Sequence, residues 1–127
     1  MKQLIAMMQV GAMLECERAK DQAAYGSAYE GFAHCKEKMD KVLHDIKQAE
    51  EDLAILWGVV TQGGKGVESA WRVHDTAVQI AAELVQLAGV CLKYEACADG
   101  WAEGQKEAEW TEVQKQRFQQ MIGAVMT

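Results

Sequence analysis

Residues 27–60, SAYEGFAHCKEKMDKVLHDIKQAEEDLAILWGVV, decide the fold of this chain. Ser27 is followed three residues later by Glu30, the spacing of a capping box, which predicts that a helix starts here. Apolar residues then recur at helical intervals, namely Met39, Val42, Ile46, Ala49, Leu53, Leu56, Trp57 and Val60. This stripe predicts one long amphipathic helix. The glycine-rich stretch 62–66, QGGKG, predicts the loop that ends it.

Helices are also predicted on both sides of this segment. Residues 2–23 show apolar spacing near three and four, and Tyr25-Gly26 ends the pattern. Residues 67–97 predict a central third helix, and residues 103–125 a fourth, amphipathic one. The third helix carries a coiled-coil-like seam of mostly small residues, on which close packing is expected: Ala70, His74, Ala77, Ala81, Leu84, Ala88 and Cys91. We therefore predict an all-α fold, a four-to-five-helix bundle in one domain spanning residues 1–127, which forms an oligomer.

Composition narrows the class of protein. The 127 residues include no proline, half of them are apolar, and the formal net charge is −6. An acidic chain without a basic, aromatic-rich run repels a phosphate backbone, so nucleic-acid binding is not expected. The four cysteines form no C-x-x-C pair and are expected to be small core residues in a reducing, cytoplasmic setting. No stretch approaches the roughly 20 apolar residues that span a bilayer, so no membrane partner is expected.

The second and third helices each carry a polar stripe. The stripe on the second is His34, Lys38, Lys41, Asp45 and Gln48, and that on the third is Arg72, Thr76, Gln79, Glu83 and Gln86. By periodicity alone, both are typical of ordinary solvated faces. Two ammonium groups beside one carboxylate and one amide would repel magnesium, yet they could hold a phosphate directly. His74, in the apolar seam, is expected to be a hydrogen-bonded core histidine.

Three stretches, in this order, carry a resemblance to a known family. Ser27, Glu30, Gly31, Phe32, Ala33 and Glu37 match a pattern S-x-H-E-G-Y-A-x-x-x-E-E-x-x-E, with Tyr29 in place of its histidine; Leu56-Trp57 matches a middle pair; and Glu83, Val85, Gln86, Ala88 and Lys93 match E-A-I-Q-V-A-A-M-A-x-K. Over about residues 25–95 the chain resembles the MazG-like all-α NTP pyrophosphohydrolases, particularly their small phage-borne branch.

The resemblance implies a site and also shows how this chain departs from it. Family members bind a nucleoside triphosphate through magnesium held by an E-x-x-E helix and an E-x-x-D helix, and they build the site across packed protomers. Here the first motif falls on Lys38 and Lys41, and the second falls on Glu83 and Gln86. We expect these four residues to bind a ligand. Glu37, Tyr29 and His34 are additional candidates.

Three hypotheses follow. The first is a non-catalytic homo-oligomer, a dimer or larger, that binds a phosphate-bearing nucleotide or related small anion without metal or cofactor. In a phage such a protein could sequester a nucleotide immune signal. The second is a magnesium-dependent NTP pyrophosphohydrolase that uses Glu37, Asp40 and Glu83. The third is a helical protein-interaction module that binds a partner through its Met-rich first helix and aromatic fourth helix. The first hypothesis predicts that Lys38 and Lys41 face Glu83 and Gln86 across a shared cavity.

Overall fold

The computed structural model describes residues 1–20, 22–101, 116 and 120. Three helices account for most of this part: α1 (Lys2–Ala19), α2 (Ala28–Thr61) and α3 (Val67–Ala98). At 1.5 Å per residue, α2 and α3 are each about 50 Å long and α1 is about 27 Å long. The all-α prediction is confirmed for the described residues. The predicted fourth helix at 103–125 lies outside them, apart from Gln116 and Gln120, which are helical.

The helix α2 begins and ends where the sequence predicts. The Ser27 hydroxyl accepts a hydrogen bond from the Glu30 backbone N–H at 3.3 Å. The Glu30 carboxylate accepts one from the Gly26 backbone N–H at 2.6 Å, so the two residues together cap the first turn. After Thr61 the chain turns through Gly63 and Gly66, whose φ angles of 87° and 68° lie in the left-handed region that glycine tolerates.

The helix α3 is central, because both other helices pack on it. It runs antiparallel to α2, so that Lys41 pairs with Glu83 about midway along the hairpin and Asp52 pairs with Thr76 nearer the loop. It runs parallel to α1, and at 18 residues α1 is too short to follow α3 along its whole length. Since Gly11 lies beside Val85, the start of α1 is level with about residue 76, and only about the first third of α3, next to the loop, extends beyond α1.

A close helix approach holds α1 against α3. A Cβ atom added at Gly89 would lie 2.6 Å from the Glu15 Cβ and 3.0 Å from the Ala12 carbonyl oxygen. Only glycine allows the two backbones to come this close. The helix α1 ends at Ala19, four residues before the predicted end.

The seam predicted for packing on α3 is exposed, which corrects the sequence-based expectation. All seven of its residues, from Ala70 to Cys91, lie in the exposed class. His74 is likewise not a core residue, since its side chain is 56% exposed and its ring packs edge-on against Trp71 at 4.8 Å. Thr76, Glu83 and Gln86 of the polar stripe turn inward instead, and Thr76 and Glu83 have partners on α2.

The apolar stripe of α2 is also only partly buried. Val42 is buried and Ala49 and Leu56 are half-buried. The other members are exposed, with Met39 at 38%, Ile46 at 37%, Leu53 at 56%, Trp57 at 68% and Val60 at 45%. The hairpin is therefore held by a contact that is partly polar, while much of its apolar surface faces outward.

The cysteines and tryptophans differ in burial. All four cysteines are free thiols, with Cys16 buried, Cys35 and Cys97 half-buried and Cys91 exposed, so the core prediction is wrong for Cys91. Trp57 and Trp71 are exposed, at 68% and 59%. Trp110 lies outside the described residues.

By length and composition, α3 could cross a membrane, since an 18-residue window within it has a mean hydropathy of 1.3. This corrects the expectation that no stretch approaches such a span. Helices that pack inside soluble proteins pass the same test, so the finding is weak support for a membrane segment. The same helix also contains two buried charged residues, Glu83 and Lys93.

Candidate functional site

The two polar stripes meet at Glu83. Its side chain is 4% exposed, and Lys41 Nζ approaches Glu83 Oε1 to 3.7 Å while the lysine side chain stays 63% exposed. Gln79 Nε2 donates a hydrogen bond to the same oxygen at 3.1 Å. Glu83 Oε2 is buried and has no hydrogen-bond partner within the part of the chain that the structure describes. A carboxylate therefore lies under an exposed ammonium group, with one oxygen unused.

A second carboxyl group lies against Glu83. A hydrogen bond with Glu83 lowers the pKa of Asp45, and a further one from His44, whose Nδ1 is 3.3 Å from Asp45 Oδ1, acts in the same direction. Asp45 therefore lies beside Glu83 at the α2–α3 contact.

Nearer the loop, Asp52 joins α2 to α3. Asp52 is buried, and its two carboxylate oxygens accept hydrogen bonds from Gln48 Nε2 and Thr76 Oγ1, each at 3.1 Å. Both oxygens are thus satisfied by the two helices. The result is a fixed register between α2 and α3.

The three helices also enclose an open cleft of about 140 Å³. Its polar lining comes from all of them: Glu15, Arg18, Gln22, His34, Lys38 and Gln86. Lys38 is half-buried, and among residues 1–20 and 22–101 no carboxylate forms an ion pair with it. Arg18 pairs with Glu15 at 3.3 Å, and its side chain is 75% exposed. The cleft therefore carries one paired and one unpaired cation.

His34 is oriented by Tyr25, whose hydroxyl is hydrogen-bonded to His34 Nδ1. Burial raises the pKa of Tyr25 to about 12, so the phenol stays protonated. Burial and the nearby Lys38 lower the pKa of His34, so the imidazole is neutral at pH 7. In the tautomer in which Tyr25 donates to Nδ1, the ring carries its proton on Nε2. His34 can offer this N–H to a group in the cleft.

Lys93 ties the segment between α1 and α2 to α3. Its Nζ donates a hydrogen bond to the Ala23 carbonyl oxygen at 2.9 Å and lies 4.4 Å from the centre of the Tyr25 ring. Trp101 Nε1 donates to the Tyr25 carbonyl oxygen at 2.8 Å. The chain between α1 and α2 is thus tied to α3, which keeps Tyr25 in position against His34.

The four residues predicted to form one site are brought together as two pairs. Lys38 and Gln86 line the cleft, whereas Lys41 and Glu83 form the ion pair described above. The prediction of one shared cavity is therefore wrong for Lys41, which is exposed to solvent.

The additional candidates are placed as follows. His34 lines the cleft, Tyr29 is half-buried, and Glu37 is exposed. Asp40, part of the enzyme hypothesis, is paired with Lys36.

Sequence reasoning missed Arg18, Glu15 and Tyr25. All three precede the capping box at Ser27, and no local pattern links them to Lys38 or Gln86. The only signal was the E-x-x-R spacing of Glu15 and Arg18 near the end of the first helix, which is common on helix surfaces.

The residues present do not fit the magnesium that the resemblance implies. Magnesium requires several oxygen ligands in near-octahedral geometry. Of Glu37, Asp40 and Glu83, only Glu83 is buried in the contact between α2 and α3. The ammonium group of Lys41 lies 3.7 Å from its carboxylate. Within the described part of the chain, no group of three or more His, Cys, Asp or Glu side chains could hold a metal ion.

Comparison of the chain with protein-family models, with curated proteins and with solved structures gave no significant match. The family resemblance therefore stays a prediction. The site is described by the geometry of this chain alone.

Proposed function

We propose that this chain is a non-catalytic, homo-oligomeric protein that binds a phosphate-bearing nucleotide or a related small anion in the cleft between α1, α2 and α3. One observation carries the proposal: Lys38 is half-buried in that cleft without an ion-pair partner among the described residues. A half-buried lysine without a counter-ion leaves an unbalanced positive charge at the cleft, which an anionic ligand would balance.

The remaining lining supplies the donors that a phosphate requires. Arg18 can turn from Glu15 toward the cleft and bind two phosphate oxygens at once, which its planar guanidinium favours. The neutral His34 offers an Nε2–H, and the Gln86 amide offers two further N–H groups. The cleft is open to solvent, so the rest of a nucleotide can extend out of it.

Lys41 adds charge at the edge of the site. Its ammonium group is exposed and its pairing with Glu83 at 3.7 Å is loose, so it can turn toward a bound anion. Glu83 would then stay hydrogen-bonded to Gln79. A magnesium-dependent pyrophosphohydrolase is less well supported, because Glu37 is exposed and Asp40 is engaged by Lys36.

The class of nucleotide is suggested only by the resemblance to the phage-borne branch. This resemblance supports a cytoplasmic protein that sequesters a nucleotide immune signal. Cyclic dinucleotides therefore belong among the ligands to be tested. Pyrophosphate and ordinary NTPs complete the panel.

Thermal unfolding with and without magnesium tests the proposal. A ligand at about 100 times its dissociation constant adds about 2.7 kcal/mol to the free energy of unfolding. Lys38→Met should weaken binding of the identified ligand roughly 10- to 100-fold, the worth of one charge-assisted hydrogen bond. Lys47→Met is the matched control, since Lys47 is an exposed lysine of the same helix. Equal affinity in the two variants would refute this site, and stabilisation that requires magnesium would favour the enzyme.

A further inference from the structure

We infer that one side of the α2–α3 hairpin is the interface with a second copy of this chain. The inference rests on the homo-oligomeric part of the proposed function and names the surface that forms it. It does not depend on the ligand, because the residues involved do not line the cleft.

The surface on α2 is a stripe of four apolar residues spaced seven apart: Met39, Ile46, Leu53 and Val60. All four are exposed, Leu53 most of all at 56%. Each follows directly after a residue that faces α3 or the cleft, as Leu53 follows the buried Asp52. A seven-residue spacing keeps such a stripe on one side of the helix along its whole length.

The surface on α3 repeats the arrangement with smaller side chains. Its stripe is Ala70, Ala77, Leu84 and Cys91, again seven apart and all exposed. Each again follows directly after an inward-facing residue, as Leu84 follows the buried Glu83. In both helices, then, the exposed stripe is turned by about 100° in the same sense from the inward-facing positions.

Both stripes lie on the same side of the hairpin. The two helices are antiparallel, so their residues advance in opposite rotational senses when both are viewed from the same end. An equal rotation away from the α2–α3 contact therefore brings both stripes to the same side of the hairpin. We call the eight residues together the apolar face of the hairpin. None of them is charged, although a quarter of the chain is Asp, Glu, Lys or Arg.

The apolar face has the size that a dimer interface requires. From Met39 to Val60 it extends about 32 Å along the helices, and two adjacent helices are about 20 Å wide. The product is about 640 Å² per copy and about 1,300 Å² for both copies, which is within the range of specific interfaces.

The apolar face is complementary to itself, which favours a second copy as its occupant. One half is a ridge of bulky side chains on α2, and the other is a shallow stripe rich in alanine on α3. A two-fold axis parallel to the helices places α2 of each copy on α3 of the other. It leaves the position of every residue along the helix axis unchanged. Since Asp52 pairs with Thr76, Leu53 then inserts between Ala70 and Ala77 of the second copy. The product is a four-helix contact of the ridges-into-grooves type.

Light scattering at micromolar concentration tests the interface with matched pairs of variants. Leu53→Glu and Ile55→Glu both place a carboxylate at an exposed apolar position of α2, at 56% and 49% exposure. Ile55 follows Asp52 by three residues, which turns it to the opposite side. Likewise Ala77→Arg alters the apolar face, and Ala82→Arg alters the opposite side of α3.

We expect the unaltered chain and both control variants to show twice the mass of a 14.1 kDa chain, and Leu53→Glu and Ala77→Arg to shift toward 14.1 kDa. Circular dichroism checks that each variant remains helical. A monomeric unaltered chain overturns the inference, as does a dimer that dissociates equally in controls and face variants. Flotation of a monomer with phosphatidylcholine vesicles would assign the face to a bilayer and also overturn it. Ligand binding measured on the same samples separates this outcome from failure of the anion site.

Discussion

Lys41 Nζ lies 3.7 Å from Glu83 Oε1, so an exposed ammonium group on α2 pairs with a carboxylate that is 4% exposed on α3. The resemblance to the MazG-like family predicts metal-binding carboxylates at both positions. In this chain, lysine fills one side of that pair. The polar part of the α2–α3 contact consequently contains an ion pair between these two residues.

Glu83→Gln should leave the free energy of unfolding unchanged to within about 1 kcal/mol or raise it. The amide keeps the shape and can still accept the hydrogen bond from Gln79, while the lost ion pair involves an exposed lysine and is worth about 0–1 kcal/mol. Urea unfolding at pH 7 measures the change. Glu83→Ala is the contrasting variant: it removes the acceptor of Gln79 and leaves a gap at a buried position, and should cost about 1–3 kcal/mol. A loss of 3 kcal/mol or more in Glu83→Gln would show that the buried charge itself is required.

With magnesium or manganese, ordinary NTPs should release no pyrophosphate above the protein-free background. The motif positions on α2 are cationic, and Asp40 is occupied by Lys36. A coupled phosphate-release assay over hours measures this. Sustained turnover that disappears in Glu83→Gln would contradict the prediction.

The double variant Lys38→Glu with Lys41→Glu should lose affinity for pyrophosphate and gain affinity for magnesium. It removes the ammonium group beside Glu83 and adds two carboxylates near it. Isothermal titration calorimetry with each ligand measures both effects. Lys47→Glu with Lys65→Glu changes the net charge equally at exposed positions and should do neither. Equal magnesium affinity in the two double variants would mean that only the overall charge changed.

Gly89→Ala should destabilise the fold by about 1–3 kcal/mol, because the new Cβ would lie 2.6 Å from the Glu15 Cβ and force α1 away from α3. Gly58→Ala is the control, since a Cβ there meets nothing within 4 Å. It should stabilise α2 by about 0.5–1 kcal/mol, the usual advantage of alanine over glycine in a helix. Thermal unfolding followed by circular dichroism compares them. Similar melting temperatures for both variants would argue against the close approach.

Stability should be highest between about pH 7 and 9 and fall on either side, since burial raises the pKa of the Cys35 thiol from 9.0 to about 11 and this starts the alkaline decline. The pKa of His34 is lowered from 6.5 in the folded chain, so below that pH the unfolded chain binds more protons and the free energy of unfolding decreases as pH falls. The pKa of Tyr25 is raised from 10.0 to about 12, so between these values the unfolded chain loses a proton that the folded chain keeps. Stability therefore decreases as pH rises through this window.

Urea titrations across pH, with Tyr25→Phe and His34→Gln beside the unaltered chain, separate the two effects. Tyr25→Phe should flatten the alkaline decline, and His34→Gln should flatten the acidic one. A decline that persists unchanged in each variant would assign it to other groups.

The sequence by itself determined the local features. The cap at Ser27, the glycine loop after Thr61 and the extent of α2 and α3 are specified by residues within a few positions of one another, so periodicity and turn chemistry are enough to predict them. The prediction of an all-α fold is confirmed for the described residues for the same reason. Periodicity alone did not predict that Lys38 and Gln86 line one cleft or that Lys41 pairs with Glu83, because both polar stripes also fit solvated faces.

Only the tertiary structure decided which stripe turns inward. Asp52 precedes Leu53 and Glu83 precedes Leu84, so a rotation of about 100° exchanges a polar face for an apolar one, and helical periodicity fits either. The choice depends on hydrogen bonds such as Thr76 to Asp52, which exist only once the helices have docked. For the same reason the sequence did not reveal that Arg18 joins Lys38. These residues lie on different helices, and the close packing of α1 on α3 at Gly89 brings them to one cleft.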